Sequence, residues 1–111
     1  MIAKPVSTFA QRALIIAGTF VVPAVRLAEF RPHMHAMLNA SRAEDGCIEY
    51  SDAEDVLAPG LIRVFEVWRD QAALDAHVTS NHLKAWRAAW PEFGVSERRL
   101  FAYEALSQKE I

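Results

Sequence analysis

The stretch from Glu66 to His82 reads EVWRDQAALDAHVTSNH and decides the fold of this 111-residue chain. Its first residues complete an apolar β-strand that ends in a carboxylate and an indole. Asp70 has the side chain of a helix N-cap, so we expect a helix to begin there and to run to about Thr79. The stretch therefore predicts a strand followed by a helix, with His77 on the apolar face of that helix.

Segments on both sides of this stretch have the composition of further β-strands. Their β-branched and aromatic residues either run together or alternate with polar ones. Two segments, 14–22 and 61–68, are apolar on both faces, which is typical of strands in the middle of a sheet. Alternation in another segment places Ile48 and Tyr50 on one face, and the turn at 58–60 predicts a hairpin. The predicted strands cover residues 14–22, 47–55, 61–68 and 95–104.

Helices are predicted between the first and second strands and between the third and fourth. Over residues 24–43 the apolar side chains recur at helical spacing. Pro32 within this pattern should kink the helix or mark the start of its longer half. The second helix is expected to take a new N-cap at Ser80 and to end at Pro91 and Gly94.

The predicted element order is β-α-β-β-α-β, the arrangement of α+β, ferredoxin-like folds. Crossover handedness then places the helices on one face of a four-stranded antiparallel sheet. The other face exposes apolar side chains over an area larger than monomers usually leave in water, so we expect a homodimer through the sheet faces. Residues 1–13 are interpreted as an N-terminal arm, 14–106 as the domain and 107–111 as a polar tail.

The composition of the chain argues against two classes of binding partner, nucleic acids and membranes. The net charge is -2 with both signs interspersed, and no basic stripe suits a nucleic acid. The longest apolar run, 13–25, contains Gly18 and Pro23 and is too short for a membrane-spanning helix. A lone Cys47 fits a reducing compartment, and the first residues lack the apolar core of a signal peptide. We therefore expect a cytoplasmic protein with no membrane partner.

Two motifs in the chain carry a family resemblance. They are Gly46-Cys47-Ile48-Glu49-Tyr50 and Glu66-x-Trp68-x-Asp70-x-x-Ala73-Leu74-x-x-His77-x-x-Ser80-x-His82. They resemble the antibiotic biosynthesis monooxygenase family, and the resemblance covers residues 14–106 and implies the dimeric α+β barrel arrangement of that family. The family includes cofactor-independent oxygenases of quinols and polyketide anthrones, haem-degrading enzymes and an isomerase of a phosphorylated sugar.

His77 and His82 are the candidate catalytic residues. An imidazole with an ordinary pKa near 6.5 suits removal of a phenolic proton around neutral pH. The alternative for His77 is a core imidazole that donates to a backbone carbonyl, and the alternative for His82 is a rim residue that caps the helix break. Their spacing of five residues across that break is not the i, i+4 pair of a zinc helix, and no Cys pair exists, so no metal is expected.

Four further side chains are candidate substrate-binding residues. Trp68 could stack on an aromatic substrate or pack in the core, and Phe20 could help to hold the ring. The Tyr50 hydroxyl could orient a substrate oxygen or satisfy a buried backbone group. Glu66 must be paired if it is buried, because an unpaired buried carboxylate is costly. The expected ion-pair partners for this carboxylate are Arg69, Arg98 or Arg99.

The leading hypothesis is a monooxygenase that uses neither flavin nor metal and acts on a small aromatic or quinol-like molecule with molecular oxygen. One alternative is a haem-binding or haem-degrading protein, for which Trp68 and His77 match the family pattern but the first strand lacks its Asn. Another alternative is a non-catalytic dimer that binds a small ligand. An isomerase would need phosphate-binding cations, for which Arg63, Arg69 and Lys84 are the candidates.

Overall fold

The computed structural model describes the backbone of residues 6–111 and the side chains from Arg12 onward. Four strands and three α-helices follow one another in the predicted order, with the second helix divided in two. The strands are β1 (Val6–Val21), β2 (Cys47–Glu54), β3 (Leu61–Trp68) and β4 (Ser96–Lys109). The helices are α1 (Leu27–Arg42), after a single 3-10 turn (Ala24–Arg26), then α2 (Gln71–Val78) and α3 (Asn81–Phe93).

The strands form one antiparallel sheet in the order β2-β3-β1-β4. This confirms the α+β, ferredoxin-like prediction and places the two strands that are apolar on both faces, β3 and β1, in the middle. Alternate residues of β1, among them Leu14, Ile16 and Phe20, are buried beneath the helices. The other sheet face exposes aromatic side chains such as Phe101 and Tyr103.

Two strands extend further than predicted: β1 begins earlier in the chain and β4 ends later. β1 begins at Val6 because its first residues pair with the end of β4, in the register Val6 with Lys109 and Thr8 with Ser107. Residues 6–13 of the expected arm and 107–109 of the expected tail are therefore strand. Residues 107–109 are polar, and residues 6–13 mix apolar and polar side chains without the strict alternation of a strand, so neither segment shows a strand pattern in the sequence. Residues 1–5 of the expected arm lie outside the part of the chain that the structure describes.

A β-bulge breaks the expected alternation in β2. Cys47 pairs with Trp68 and Glu49 pairs with Val67, so one extra residue, Ile48, lies between two consecutive pairs. The Ile48 side chain is 57% exposed, whereas Tyr50 is buried. The prediction that these two side chains share one face of the strand is wrong for this reason.

Both predicted N-caps of the divided helix are confirmed. The Asp70 carboxylate accepts the backbone N–H of Ala73 at 2.8 Å, which begins α2. The Ser80 hydroxyl oxygen accepts the backbone N–H of Leu83 at 3.3 Å, which begins α3. These local bonds satisfy helix N–H groups that have no partner inside the helix.

The two helical prolines do not end their helices. α1 continues past Pro32 to Arg42, and α3 continues past Pro91 to Phe93. α3 ends at Gly94, which adopts the left-handed conformation with φ of 70°. A residue with a Cβ is strained there, so Gly94 rather than Pro91 ends the helix.

The core between the sheet and the helices is rich in aromatic rings. Phe20 of β1 contacts Trp86 and Trp90 of α3, with ring centroids 6.0 and 5.1 Å apart. Phe30 of α1 packs against Trp86 at 5.0 Å. These contacts hold α1 and α3 over the middle of the sheet. Among residues 6–111, no helix has both the length and the apolar character that a membrane crossing requires.

Candidate functional site

A cavity of about 230 Å³ lies between the sheet and the two halves of the divided helix. Because a protein cavity of roughly 150 Å³ can hold benzene, this volume suits a molecule of one or two aromatic rings. Its apolar walls are formed by Ile16, Phe20, Val64, Leu74, Leu83, Trp86, Trp90 and Leu100. Its exposed rim includes Val78, Arg87 and Arg98.

Polar side chains converge on one side of this cavity. Tyr50 of β2 lies directly opposite Glu66 of β3 in the strand register, and both point toward the helices. His77 of α2 lines the same cavity and is only 3% exposed. Asp52 lies two residues beyond Tyr50 and completes this polar side. The structure therefore brings three predicted site residues, Tyr50, Glu66 and His77, together.

The buried Glu66 carboxylate is held by an indole rather than by an arginine. Its Oε1 accepts the Nε1–H of Trp68 at 2.9 Å. His77 Nε2 lies 4.0 Å from the same oxygen. Burial raises the pKa of Glu66, while the Trp68 hydrogen bond, the His77 ring and the Tyr50 hydroxyl act in the opposite direction. The expectation of an ion pair with an arginine is wrong for this carboxylate.

Tyr50 is a hydrogen-bond donor at this site. Burial raises the pKa of its phenol far above the ordinary value, and the nearby carboxylates of Glu66 and Asp52 raise it further. The hydroxyl therefore keeps its proton at physiological pH and can donate to a carboxylate or to a ligand oxygen.

The His77 ring is fixed by contacts on several sides. It lies against Trp68 with the ring centroids 4.5 Å apart, and its edge meets Tyr50 at 5.5 Å. Its Nδ1 lies 2.8 Å from Glu44 Oε1. An ionised carboxylate only accepts hydrogen bonds, so Nδ1 donates in this pair, and in the neutral ring the lone pair is on Nε2, on the Glu66 side. The expected backbone carbonyl partner is replaced by Glu44.

His82 lies outside the cavity and contacts the same carboxylate. Its Nε2 is 2.5 Å from Glu44 Oε1 and 3.2 Å from the Ser80 hydroxyl. The side chain is 25% exposed and lines a separate groove between α1 and α3. This position matches the rim alternative and makes His82 a partner of Glu44 rather than a wall of the cavity.

Glu44 is one residue of the candidate site that the sequence did not indicate. It lies in the turn after α1, far along the chain from His77 and His82, and no spacing pattern connects the three residues. Within the part of the chain that the structure describes, their ligand atoms form a cluster in which all lie within 4.8 Å of one another. The cluster is therefore a property of the fold, not of a local motif.

The two predicted aromatic residues take different positions. Phe20 forms part of the cavity wall, next to Trp86 and Trp90. Trp68 is fully buried and lies behind the His77 ring, outside the set of residues that line the cavity. Trp68 is therefore placed to support His77 and Glu66 and not to stack on a ligand.

Two buried polar groups of the cavity lining have no hydrogen-bond partner among the described residues. They are the Asp52 carboxyl group and the Trp90 indole N–H. Burial and, to a smaller extent, the Glu66 charge raise the pKa of Asp52 to about 7, although the Arg42 charge acts in the opposite direction. The period-2 alternation from Tyr50 could have indicated Asp52 as a cavity residue, because both belong to the same face of β2.

The positive charges at the rim are not the ones expected from the sequence. Arg87 and Arg98 line the cavity, whereas Arg63, Arg69 and Lys84 do not. Arg63 instead pairs with Asp55, and Arg69 pairs with carboxylates near the start of α2. Partial burial and the charge of Arg98 lower the pKa of the Arg87 guanidinium.

Comparison with known families identifies the relatives of this fold. The model of the antibiotic biosynthesis monooxygenase family matches residues 13–89, which is more than half of the chain. The chain belongs to the antibiotic biosynthesis monooxygenase family. The matched region contains the cavity residues of β1, β2, β3 and α2 and all three residues of the Glu44 cluster, which agrees with the resemblance seen in the sequence motifs.

Relatives of this antibiotic biosynthesis monooxygenase domain occur in several bacteria. A protein of unassigned function from Synechocystis is 39% identical over 64 residues, which are 58% of this chain and 44% of that protein. Rv0793 of Mycobacterium tuberculosis, which carries a monooxygenase name, is 38% identical over 74 residues, 67% of this chain and 71% of its own. This chain thus matches less than half of the Synechocystis protein.

Solved structures show the same family fold. A protein of Deinococcus radiodurans that bears the antibiotic biosynthesis monooxygenase name aligns with a TM-score of 0.82 and 28% identity, over 88% of this chain and 97% of that one. The structure of Rv0793 aligns with a TM-score of 0.70 and 29% identity, over 90% of this chain and 98% of that one. These alignments include nearly the whole sheet and its helices.

Proposed function

We propose that this domain is a monooxygenase that oxidises a small aromatic or quinol-like molecule with molecular oxygen and without flavin or metal. Membership of the family supports monooxygenase chemistry in general. The observation that carries the specific proposal is the orientation of His77. Its Nδ1 is held by Glu44, and its Nε2 lies on the polar side of an aromatic cavity.

In this mechanism His77 Nε2 accepts the proton of a phenol or of an enolised anthrone. The resulting anion is electron-rich and reduces oxygen directly, so that a ring carbon forms a bond to one oxygen atom. Loss of water from the peroxide converts the ring C–H of the phenol, or the CH₂ group of the anthrone in its keto form, to a C=O group, and the second oxygen atom leaves in that water. The substrate supplies all the electrons, so no external reductant is required.

The other cavity residues support this chemistry by position and by exclusion of water. Tyr50 offers a protonated hydroxyl to an oxygen of the substrate, and Phe20 and the two tryptophans of α3 form the walls around its ring. Glu44 holds the Nδ1–H tautomer and stabilises the imidazolium that forms when Nε2 gains a proton. Glu44 acts through His77 and is therefore a positioning residue.

Oxygen uptake with a panel of hydroquinones and anthrones tests the proposal. We expect turnover above the rate of spontaneous oxidation, and a fall of roughly 10² to 10⁴-fold in His77→Gln, which removes the base. His35→Ala, a change of an exposed histidine on α1, is the matched control and should leave the rate unchanged. Turnover at the uncatalysed rate, or full activity in His77→Gln, would refute the proposed reaction.

The homodimer is part of the same proposal, as is the cytoplasmic location. The sheet face opposite the helices exposes Phe65, Phe101 and Tyr103, and burial of that face against a second copy would remove a large apolar surface from water. Sedimentation equilibrium should report twice the mass of the chain at micromolar concentration. A monomeric mass would refute the dimer.

The same cavity would serve a non-catalytic ligand-binding dimer, which oxygen uptake distinguishes from an oxygenase. The haem alternative has less support, because β1 contains no Asn, whereas the family pattern of the haem degraders has an Asn on this strand. We expect a haemin titration to give no Soret shift that depends on His77.

A further inference from the structure

The geometry points to a second site on the outer side of His77: we propose that Glu44, His77 and His82 bind one divalent transition-metal ion of the zinc type. The proposed ligand atoms are Glu44 Oε1, His77 Nδ1 and His82 Nε2, all within 4.8 Å of one another. The site lies on the opposite side of the His77 ring from the cavity, shares that residue with it, and goes beyond the proposed oxygenase function.

Three different segments deliver these ligands to one point. Glu44 comes from the turn after α1, His77 from the end of α2 and His82 from the start of α3. Two imidazoles and a carboxylate form a zinc ligand set that leaves a fourth position open. Imidazole ligands favour zinc, nickel and copper, whereas magnesium and calcium prefer sites made of oxygen atoms.

A bound ion requires only a small rearrangement of the cluster. Zinc bonds of about 2.0 to 2.1 Å in a tetrahedron place two ligand atoms roughly 3.3 Å apart. The Glu44 oxygen now lies 2.8 Å from His77 Nδ1 and 2.5 Å from His82 Nε2, so each of these pairs must separate by less than about 1 Å. The two imidazole nitrogens lie within 4.8 Å of each other and must approach by at most about 1.5 Å. Glu44 and His82 are both partly exposed and can make this movement.

Metal binding also moves a proton within each imidazole. The ion binds the lone pair of His77 Nδ1, so the proton on that nitrogen transfers to Nε2. In His82 the ion binds Nε2, so the proton moves in the opposite direction, from Nε2 to Nδ1. No proton needs to leave the protein. His77 Nε2–H then points toward Glu66 Oε1, 4.0 Å away, where a shortened contact would give the carboxylate–histidine–metal arrangement that orients many metal ligands.

The ion would change what His77 can do on its cavity side. With the proton on Nε2, the ring can donate a hydrogen bond but cannot accept a proton from a substrate. The ion would also tie the turn after α1 to the junction of α2 and α3, which adds a link between elements distant in sequence. A bound ion would therefore make the domain more rigid and prevent His77 from acting as a base.

Isothermal titration of the full chain with ZnCl₂ tests the site. We expect one zinc ion to bind per chain and MgCl₂ to give no binding. Glu44→Ala and His82→Ala should each weaken zinc binding by at least about tenfold, because each removes one of three protein ligands. His35→Ala, which removes an exposed histidine of α1 outside the cluster, should bind zinc as the wild type does.

Thermal unfolding gives a second measurement that requires no enzyme activity. Saturating zinc should raise the Tm of the wild type by about 5 °C or more and leave the Tm of His82→Ala unchanged. Zinc affinity that survives in both Glu44→Ala and His82→Ala would overturn the site, as would the absence of binding to a folded wild type. Either result would leave the oxygenase proposal standing, since oxygen uptake decides that separately.

Discussion

The carboxylates on the two sides of the His77 ring differ in their exposure to solvent and in their hydrogen-bond partners. On the outer side, the Glu44 oxygen is shared by two imidazoles and is partly open to solvent. On the inner side, Glu66 is buried and accepts the Trp68 N–H, while Asp52 has no hydrogen-bond partner among the described residues. On the outer side, Glu44 orients the ring. On the inner side, the ring lies next to Glu66 and Asp52, whose ionised forms are destabilised by burial.

The largest expected effect comes from the indole that supports the inner side. Trp68→Ala should lower the free energy of unfolding by about 3–5 kcal/mol, because it leaves a cavity beneath His77 and removes the hydrogen bond to Glu66. Trp68→Phe keeps most of the ring but not the N–H, and should cost about 1–3 kcal/mol. Urea unfolding measures both, and equal stability of wild type and Trp68→Phe would contradict the role given to the N–H.

Asp52→Asn should change how stability depends on pH. Because burial raises the pKa of Asp52 from an ordinary 3.8 to about 7, ionisation favours the unfolded chain. The protein therefore loses stability as the pH rises from about 4 to 7, by roughly 2–4 kcal/mol in total. The variant lacks this titration and should be more stable than wild type at pH 8 but not at pH 4.

Urea unfolding at pH 4, 6 and 8 checks this sign directly. The difference in unfolding free energy between Asp52→Asn and the wild type should grow with pH and level off above pH 7. Asp55→Asn serves as the opposite control, because hydrogen bonds from the Leu57 backbone and Arg63 lower the pKa of Asp55. A difference for Asp52→Asn that does not vary with pH would contradict the prediction.

A smaller effect is expected from Glu44→Gln on the outer side. The amide can still contact both imidazoles, but it cannot stabilise an imidazolium by charge. We expect kcat to fall by about 10 to 100-fold, with little change in KM, because substrate does not contact Glu44. NMR of the imidazole nitrogens should show that His77 no longer keeps its proton on Nδ1 alone, and an unchanged tautomer would remove Glu44 from this role.

The sequence predicts the structural features that depend on neighbouring residues. It does not predict those that depend on contacts between distant segments. β3, the hairpin and the caps at Asp70 and Ser80 depend on side chains within a few residues, so their signals can be read along the chain. The pairing of Glu44 with His77 depends on how α1 and α2 meet in space, and the Glu66 partner depends on a side-chain rotamer. The bulge at Ile48 likewise arises from register with β3, which alternation alone does not encode.

Pairing between β1 and β4 has a consequence for how the chain folds. Val6 and Lys109 are joined across about 100 residues of sequence, and the central strand β1 has β4 as one of its two neighbours. On a ribosome, β1 would therefore wait for the last strand to emerge before that side could close. Contacts so distant in sequence slow folding, and until they form the open edge of β1 is exposed to pairing with other chains.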